Sequence, residues 1–140
     1  MKNHYNKRPI IGYTGKNSLL AKSFIKDYNN KFKFKCYSNN IQDNTKLINW
    51  FKKNSDINIF INFAALTSPI YCDNNKDEAL LTNFKSVVDI LNIVQSNKFK
   101  NFNYFLTISS SHVFKKSFKK LKESSIKKPS NFYGITKLNL

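Results

Sequence analysis

The sequence has few cysteines and no long hydrophobic run. Cys36 and Cys72 are the only cysteines among 140 residues, and their separation does not suit a metal-binding pair. We therefore interpret both as reduced thiols of an intracellular protein. There is no run of about eighteen apolar residues and no apolar signal region. The sequence accordingly predicts a soluble, cytoplasmic chain with no membrane partner.

Arginine and acidic residues are also scarce. Eight acidic residues stand against 24 basic ones, the formal net charge is +16, and Arg8 is the only arginine. Such a balance is typical of proteins that bind nucleic acids or anionic surfaces. The lysines are spread along the chain, however, and specific recognition of bases and phosphates favours the guanidinium of arginine. We therefore expect salt-sensitive nonspecific binding but no specific nucleic-acid partner. The lysine pairs at 115–116 and 119–120 are interpreted as part of a solvated loop.

The apolar residues occur in segments of two alternating kinds. Short continuous apolar runs predict buried strands, and runs with apolar residues at helical spacing predict amphipathic helices. Their alternation predicts an α/β fold with a doubly wound parallel sheet, incomplete at the C-terminus, in one domain over residues 1–140. The predicted strands are 8–12, 32–38, 57–63 and 104–108, and the predicted helices are 18–28, 44–53 and 76–96.

The first predicted strand is followed by a turn that contains glycine and then by a helix. Gly12 and Gly15 would let the backbone approach a pyrophosphate, whose charge would lie on the free N–H groups at the helix start. Ser18 stands where a third glycine is usual; it can cap the helix, but its packing on the strand would be looser. Thr14 either fills the turn or donates to phosphate. Taken alone, the segment fits a phosphate site and an ordinary turn equally well.

A second group of polar residues follows the last predicted strand. Residues 109–111 are serines, and Tyr133 and Lys137 lie four residues apart, on one face if their segment is helical. A phenol beside an ammonium can act as an acid or a base, and a serine hydroxyl can orient a carbonyl between them. Three predicted strand ends, at Gly12, 62–65 and 109–111, should converge on one rim of the sheet, where ligands bind in such folds.

Taken in order, these segments resemble the extended short-chain dehydrogenase/reductase family, and within it the dTDP-4-dehydrorhamnose reductase branch of the NAD-dependent epimerase/dehydratase superfamily. The joint order and spacing carry the resemblance, since each motif alone is weak. It extends over nearly the whole chain and implies a Rossmann-type fold. The matching motifs are Gly12-Tyr-Thr-Gly15, Asn40-Ile-Gln-Asp43, Asn62-Phe-Ala-Ala65, Asn83 in the long helix, Ile108-Ser-Ser-Ser-His-Val-Phe114 and Pro129-Ser-Asn-Phe-Tyr-Gly-Ile-Thr-Lys137.

The resemblance implies a catalytic set and a cofactor site. Tyr133 would donate or accept the proton, Lys137 would lower the pKa of that phenol and hold a ribose, and Ser110 would supply a hydroxyl. The implied reaction is hydride transfer between NADP or NAD and a sugar carbonyl, with epimerase or dehydratase chemistry as the alternative. Neutral Ser38 near Lys35 favours NADP. The implied cofactor-binding residues are Gly12, Thr14, Gly15, Ser18, Ser38, Asp43, Ala64, Ala65, Asn83, Tyr133 and Lys137.

Members of this family are about twice as long as the chain, and their additional C-terminal region binds the nucleotide-sugar substrate. The resemblance therefore implies the N-terminal, cofactor-binding part of such an enzyme, with poor turnover in isolation. The exposed edge of an unfinished sheet should pair with the missing C-terminal half or with a second copy as a homodimer. The alternative is a non-catalytic nucleotide-binding subunit or remnant. His112 either meets the substrate or is a satisfied structural histidine.

Overall fold

A parallel sheet of four strands forms the centre of the structure, a computed structural model that describes residues 8–96 and 101–140. The strands lie in the order β2-β1-β3-β4, and every neighbouring pair is parallel. This confirms the predicted α/β, Rossmann-type doubly wound fold. The strands are β1 (Ile10–Thr14), β2 (Lys33–Cys36), β3 (Ile59–Asn62) and β4 (Tyr104–Thr107), and the α-helices are α1 (Leu19–Tyr28), α2 (Asn44–Lys53), α3 (Pro69–Asn74), α4 (Lys76–Leu80), α5 (Ser86–Ser96) and α6 (Phe132–Leu138).

The two faces of the sheet are covered by different helices. On one face, the Phe24 ring of α1 lies 6.1 Å from the ring of Phe34 and 5.9 Å from that of Phe63. On the other face, α2 and α5 pack over Phe60, which is fully buried. Helices on both faces explain why β1 and β3 have near-continuous apolar sequences. The buried cluster under α2 and α5 contains Tyr37, Ile41, Leu47, Phe51, Phe60, Ile90, Ile93 and Val94.

Gly12 belongs to this packing and not to a phosphate loop. It lies within β1, two residues before the strand ends. A Cβ atom at Gly12 would approach the side chains of Ile57 and Phe60 to 2.7 and 2.8 Å. The prediction that Gly12 ends the strand and approaches pyrophosphate is therefore wrong. The strand has the predicted length but lies two residues later, because β3 continues to pair with it as far as Thr14 and Asn62.

The last strand differs from its prediction as a buried strand. β4 lies at the edge of the sheet, and Tyr104 and Leu106 are 65% and 46% exposed. Alternate residues of a strand point to opposite faces, so the side that carries these two residues is not covered by the described part of the chain. An apolar run predicts burial on both faces but does not reveal whether the covering element is present.

The helix predicted over residues 76–96 is present but changes its winding. A π-helical turn at Leu81–Lys85 separates α4 from α5. Asn83 lies in this turn and is fully buried. Isolated π-helical turns inside helices are frequent at functional sites, and here the turn brings a polar amide into the interior.

A buried polar contact joins the ends of β1 and β3. The Thr14 hydroxyl donates to Asn62 Oδ1 and accepts a hydrogen bond from the Ala64 N–H at 3.2 Å. Thr14 and Asn62 are 0% and 1% exposed. Buried polar groups are costly unless they are paired, so the Thr14 hydroxyl satisfies the buried Asn62 side chain and the partly buried Ala64 N–H.

We expect Thr14→Val to lower the free energy of unfolding by about 1–3 kcal/mol, because it leaves Asn62 Oδ1 and the Ala64 N–H without their partner. Thr107→Val is the matched control. The Thr107 hydroxyl is also buried but has no hydrogen-bond partner in the described structure, so the same isosteric change should cost little there. Urea denaturation of the two variants measures the difference. Equal effects would contradict the importance of the Thr14 contact.

Candidate functional site

The carboxyl ends of β1, β2 and β3 surround a groove of about 650 Å³. This is the rim at which ligands bind in doubly wound sheets. No acidic residue lines the groove within the described chain, whereas Lys16 does, so its electrostatic character suits an anionic ligand. Of the residues predicted to bind a cofactor, it is lined by Gly15, Ser18, Ser38, Ala64 and Ala65; its other lining residues include Asn17, Tyr37, Ile41, Phe63, Leu66 and Thr82.

Gly15 gives this groove its floor. Its φ angle is +72°, in the left-handed region that glycine adopts without strain. A Cβ atom there would approach the Ala64 backbone nitrogen to 2.7 Å. The Gly15 carbonyl accepts from the Ser18 N–H at 2.8 Å, which closes a tight turn directly before α1. The turn therefore presents the N-terminus of α1 to the groove, as phosphate-binding loops do.

The structure changes the register of the predicted glycine motif. Because β1 ends at Thr14, three small residues follow the strand at intervals of three: Gly15, Ser18 and Ala21. Dinucleotide loops use three glycines for the tight turn, for close approach of the backbone to pyrophosphate and for packing of the helix on the sheet. Ala21 occupies the packing position and is 0% exposed. Ser18, predicted at the packing position, is instead the second of the three small residues and stands directly before α1.

Ser18 caps α1, as the sequence predicted. Its Oγ accepts from the Ala21 N–H at 3.5 Å, with an extended backbone (φ −60°, ψ 134°) typical of a cap. The bond is long, and the hydroxyl lies at the edge of the groove. Counting the small residues from Thr14, where β1 ends, would have identified this arrangement. The sequence analysis placed the end of the strand at Gly12, two residues earlier.

Two other predicted cofactor residues are used inside the protein. The Thr14 hydroxyl is taken up by β3 and Ala64, so the prediction that it donates to phosphate is wrong. Asn83 accepts from the Leu66 N–H at 2.8 Å and donates to the Leu66 carbonyl at 2.9 Å and to Thr136 Oγ1 at 3.2 Å. Its amide is fully buried between the groove loop and α6. Asn83 therefore positions these segments and does not face the rim as predicted.

Asp43 and Lys35 also have partners that the sequence did not indicate. The Asp43 carboxylate caps α2 by accepting from the Lys46 N–H at 3.0 Å, and this hydrogen bond lowers the pKa of Asp43. Asp43 is not among the groove-lining residues, although neighbouring Ile41 is. Lys35 forms an ion pair with Asp56 at 2.7 Å. Asp43 therefore does not line the groove as predicted for a residue near the adenine, and the preference for NADP indicated by neutral Ser38 and nearby Lys35 stays a prediction.

Two of the three predicted catalytic residues line a second cavity, of about 700 Å³. Ser110 and Lys137 both line it, together with Ser109, Ser111 and Phe114. Lys137 is 5% exposed, and no ion-pair partner for it is found among the described residues. Burial lowers the pKa of the Lys137 ammonium. The cavity therefore combines a hydroxyl with a desolvated cation.

Tyr133 is near this cavity but is not one of its lining residues. It is 8% exposed and packs against Cys72 and Ala79. Its ring lies 5.5 Å from the ring of His112, in an edge-to-face arrangement. The structure thus brings Ser110 and Lys137 to one cavity, and His112 connects Tyr133 to Ser110 through its ring contact and its backbone N–H.

Comparison of the sequence with known families decides the relationship. A sequence profile described as GDP-mannose 4,6 dehydratase matches residues 3–140. The chain belongs to this family. No curated protein matches the sequence at a significant level.

Solved structures with the same fold as this GDP-mannose 4,6 dehydratase family member include sugar-nucleotide enzymes. One is a dTDP-4-dehydrorhamnose reductase from Bacillus anthracis in complex with NADP, with 18% identity, a TM-score of 0.82 and coverage of 95% of this chain and 48% of that chain. A Clostridium acetobutylicum dTDP-4-dehydrorhamnose reductase has 23% identity, a TM-score of 0.80 and coverage of 93% and 46%. A Thermotoga maritima UDP-glucose 4-epimerase with UDP-glucose has 16% identity, a TM-score of 0.78 and coverage of 91% and 47%. The chain spans about half the length of these proteins.

Within residues 8–96 and 101–140, no helix is long and apolar enough to cross a membrane. The same residues contain no group of three or more potential metal ligands.

We expect Lys137→Met to unfold less readily than wild type at pH 7. In the folded wild-type chain the buried ammonium has a lowered pKa, so the unfolded chain binds more protons at pH values between that pKa and about 10.5, the ordinary value for lysine. Wild-type stability should therefore rise with pH in this range, and the advantage of Lys137→Met should shrink. Thermal unfolding between about pH 7 and pH 10.5 measures the difference in stability between Lys137→Met and wild type. Lys22→Met, at an exposed position of α1, is the control; a parallel pH trend in both variants would contradict the burial effect.

Proposed function

We propose that the chain is the NADP- or NAD-binding part of a sugar-nucleotide reductase similar to dTDP-4-dehydrorhamnose reductase. The observation that carries this proposal is the groove at the ends of β1–β3, whose floor is the positive-φ turn at Gly15 and which receives the N-terminus of α1. The B. anthracis reductase, similar in fold, is in complex with NADP. Residues 1–140 would form one nucleotide-binding domain.

The described groove fits a dinucleotide in three respects. Its volume of about 650 Å³ is within the usual range of cofactor pockets. The backbone N–H groups at the start of α1 would bind pyrophosphate, since they have no intrahelical partner. Ala64 and Ala65 present small side chains opposite this helix end, and Ser38 would lie beside a ribose. With Lys35 paired to Asp56, the groove accepts NADP and NAD alike.

The second cavity supplies groups for carbonyl chemistry. When bound, the nicotinamide supplies the hydride. Ser110 Oγ accepts from the His112 N–H at 3.2 Å, so its own O–H is free to donate to a substrate oxygen. Tyr133 would protonate that oxygen as negative charge develops, and the ammonium of Lys137, four residues on, would stabilise the charge. The same residues serve an epimerase or dehydratase, and the substrate class we propose is a nucleotide sugar.

A second candidate function is nucleotide binding without turnover. It is favoured by Tyr133, which does not line the cavity shared by Ser110 and Lys137. The exposed edge of β4 would pair with the remaining half of a longer protein or with a second copy of the chain. Such pairing would complete the sugar-binding side of the protein. Activity of the completed protein would then distinguish a reductase from a nucleotide-binding subunit without turnover.

We expect Tyr133→Phe to reduce carbonyl reduction by at least roughly a hundredfold, the usual contribution of a general acid. Its affinity for NADP should change little, because the phenol acts on the substrate. Activity is measured with the C-terminal half supplied, and affinity by calorimetry on the chain itself. Tyr28→Phe is the control, since Tyr28 is the last residue of α1, is 38% exposed and lines neither cavity. Loss of affinity and activity together would assign Tyr133 a structural role, and binding without turnover by the completed wild type would support the second candidate.

We expect Ser18→Gly to tighten NADP binding by roughly tenfold, about 1.4 kcal/mol. Glycine removes the Cβ atom and hydroxyl from the position at which the backbone approaches pyrophosphate and frees the Ala21 N–H. Helix stability should fall by only a few tenths of a kcal/mol. Ser23→Gly, an exposed change later in α1, is the control for flexibility. Calorimetric titration measures both, and an unchanged or weaker affinity of Ser18→Gly would place the pyrophosphate elsewhere.

A further inference from the structure

We propose that His112 is a positioning residue that holds Ser110 and the start of α6 together, and that it does so only as a neutral imidazole with its proton on Nε2. The inference rests on the proposed function in taking Ser110 and Tyr133 as the reacting groups. It adds a role for His112 and a pH dependence that the motifs do not assign. Three independent contacts of His112 support it.

The first contact fixes Ser110. The His112 backbone N–H donates to Ser110 Oγ at 3.2 Å, and residues Ser111–Val113 form a single turn of 3₁₀-helix that begins at this cap. Because the hydroxyl oxygen is the acceptor, the orientation of the Ser110 side chain depends on the position of the turn. A displacement of His112 would therefore move the hydroxyl that is proposed to meet the substrate.

The second contact fixes the start of α6 and determines the tautomer. Asn131 caps α6 through Oδ1, which accepts from the Gly134 N–H at 2.8 Å. The other end of the same amide is therefore the donor, and it lies 2.9 Å from His112 Nδ1. An NH₂ group needs an acceptor, so Nδ1 must be unprotonated and the ring proton must be on Nε2. One amide thus connects the cap of α6 to the imidazole.

The third contact is direct packing between the turn and α6. The His112 ring contacts the Tyr133 ring edge to face at 5.5 Å. A Cβ atom at Gly134 would lie 2.3 Å from the His112 carbonyl oxygen, so the two backbones touch. The first residues of α6 cannot shift without the turn, and Tyr133 is one of those residues.

A second proton on the imidazole would break this arrangement. Protonated Nδ1 would become a donor facing the NH₂ group of Asn131, and the cap of α6 would lose its link to the turn. The surroundings do not supply an acidic partner to the ring itself: Lys115 and Lys116 line the cavity that His112 shares, while Asp73 Oδ1 accepts from the Phe132 N–H at 2.7 Å. The charged or titratable groups on α3, α4, α6 and the cavity that His112 shares are Tyr71, Cys72, Asp73, Lys76, Asp77, Glu78, Lys115, Lys116, Tyr133 and Lys137.

Two substitutions separate the functions of the ring. His112→Asn retains an acceptor close to the position of Nδ1 but does not titrate, whereas His112→Phe retains the ring contact with Tyr133 but has no acceptor. We expect amide exchange of Gly134 to become on the order of tenfold faster in His112→Phe, the loss of about one hydrogen bond, and to stay near the wild-type rate in His112→Asn. The rates are measured by NMR hydrogen exchange on the 140-residue chain.

The pH dependence provides a readout that a purely structural role would not move. In wild type, the imidazole ¹⁵N shifts should show an Nε2–H tautomer at neutral pH, and Gly134 protection should fall in acid with the same midpoint as the His112 titration. In His112→Asn that acid loss should be absent. Protection of Gly134 that is unchanged in His112→Phe, a proton on Nδ1 at neutral pH, or an acid loss that persists in His112→Asn would each overturn the inference.

Failure of this inference and failure of the proposed function give different results. Absence of NADP binding by wild type contradicts the proposed function, whereas uncoupled behaviour of His112 and Gly134 contradicts the role of His112. In the completed enzyme, His112→Phe should lower kcat with little change in the KM for NADP. The alternative substitution His112→Asn should retain most of the wild-type kcat. A change in the KM for NADP alone would overturn the positioning role.

Discussion

The buried hydroxyl of Thr14 makes the contact on which both sides of the groove, the turn at Gly15 and the loop at Ala64, depend. It joins the end of β1 to Asn62 at the end of β3 and also holds the Ala64 N–H. Gly15 turns directly after it, and the Ala64 backbone lies where a side chain on Gly15 would be. The shape of the groove is therefore set by a hydrogen-bonded pair that never reaches the groove, because only fixed strand ends can keep the turn and the opposite loop so close.

A second buried side-chain amide, that of Asn83, connects the groove to α6. Asn83, in the π-helical turn, holds both backbone groups of Leu66 and donates to Thr136. The Thr136 hydroxyl in turn donates to the Tyr133 carbonyl at 2.8 Å. The loop that lines the groove and the helix that carries Tyr133 and Lys137 are thus connected by hydrogen bonds in the interior. Together with the link between His112 and Asn131, these contacts hold a short helix of seven residues that has too few turns to be stable alone.

Much of the fold could be predicted because apolar periodicity reports burial directly. α2 was predicted at 44–53 and is found there, and the parallel order of the strands follows from their alternation with helices. The roles of Thr14, Asn83 and Asp43 could not be predicted, since a polar residue at a strand end has the same sequence signature whether it faces a ligand or a neighbouring strand. The predicted register of the glycine motif was wrong for a related reason: pairing with β3 continues two residues past the predicted end of β1, and pairing is a property of the folded chain. The sequence indicated His112 only by its place beside the serines at 109–111. Its partners Asn131 and Tyr133 are about twenty residues away in the chain, so these contacts could not be predicted.

The central claim is that the ends of β1–β3 form a dinucleotide groove whose pyrophosphate end is the start of α1. The most direct test is to map backbone amide NMR shifts of the chain during titration with NADP. The account predicts saturable shifts at Gly15 to Leu20, with further shifts at Ser38, Ala64 and Ala65, and no comparable change in the lysine-rich loop at 115–120. Absence of saturable shifts, or shifts confined to that loop, would contradict it, because the phosphates would then be held by surface charge and not by the turn and the helix that follow β1.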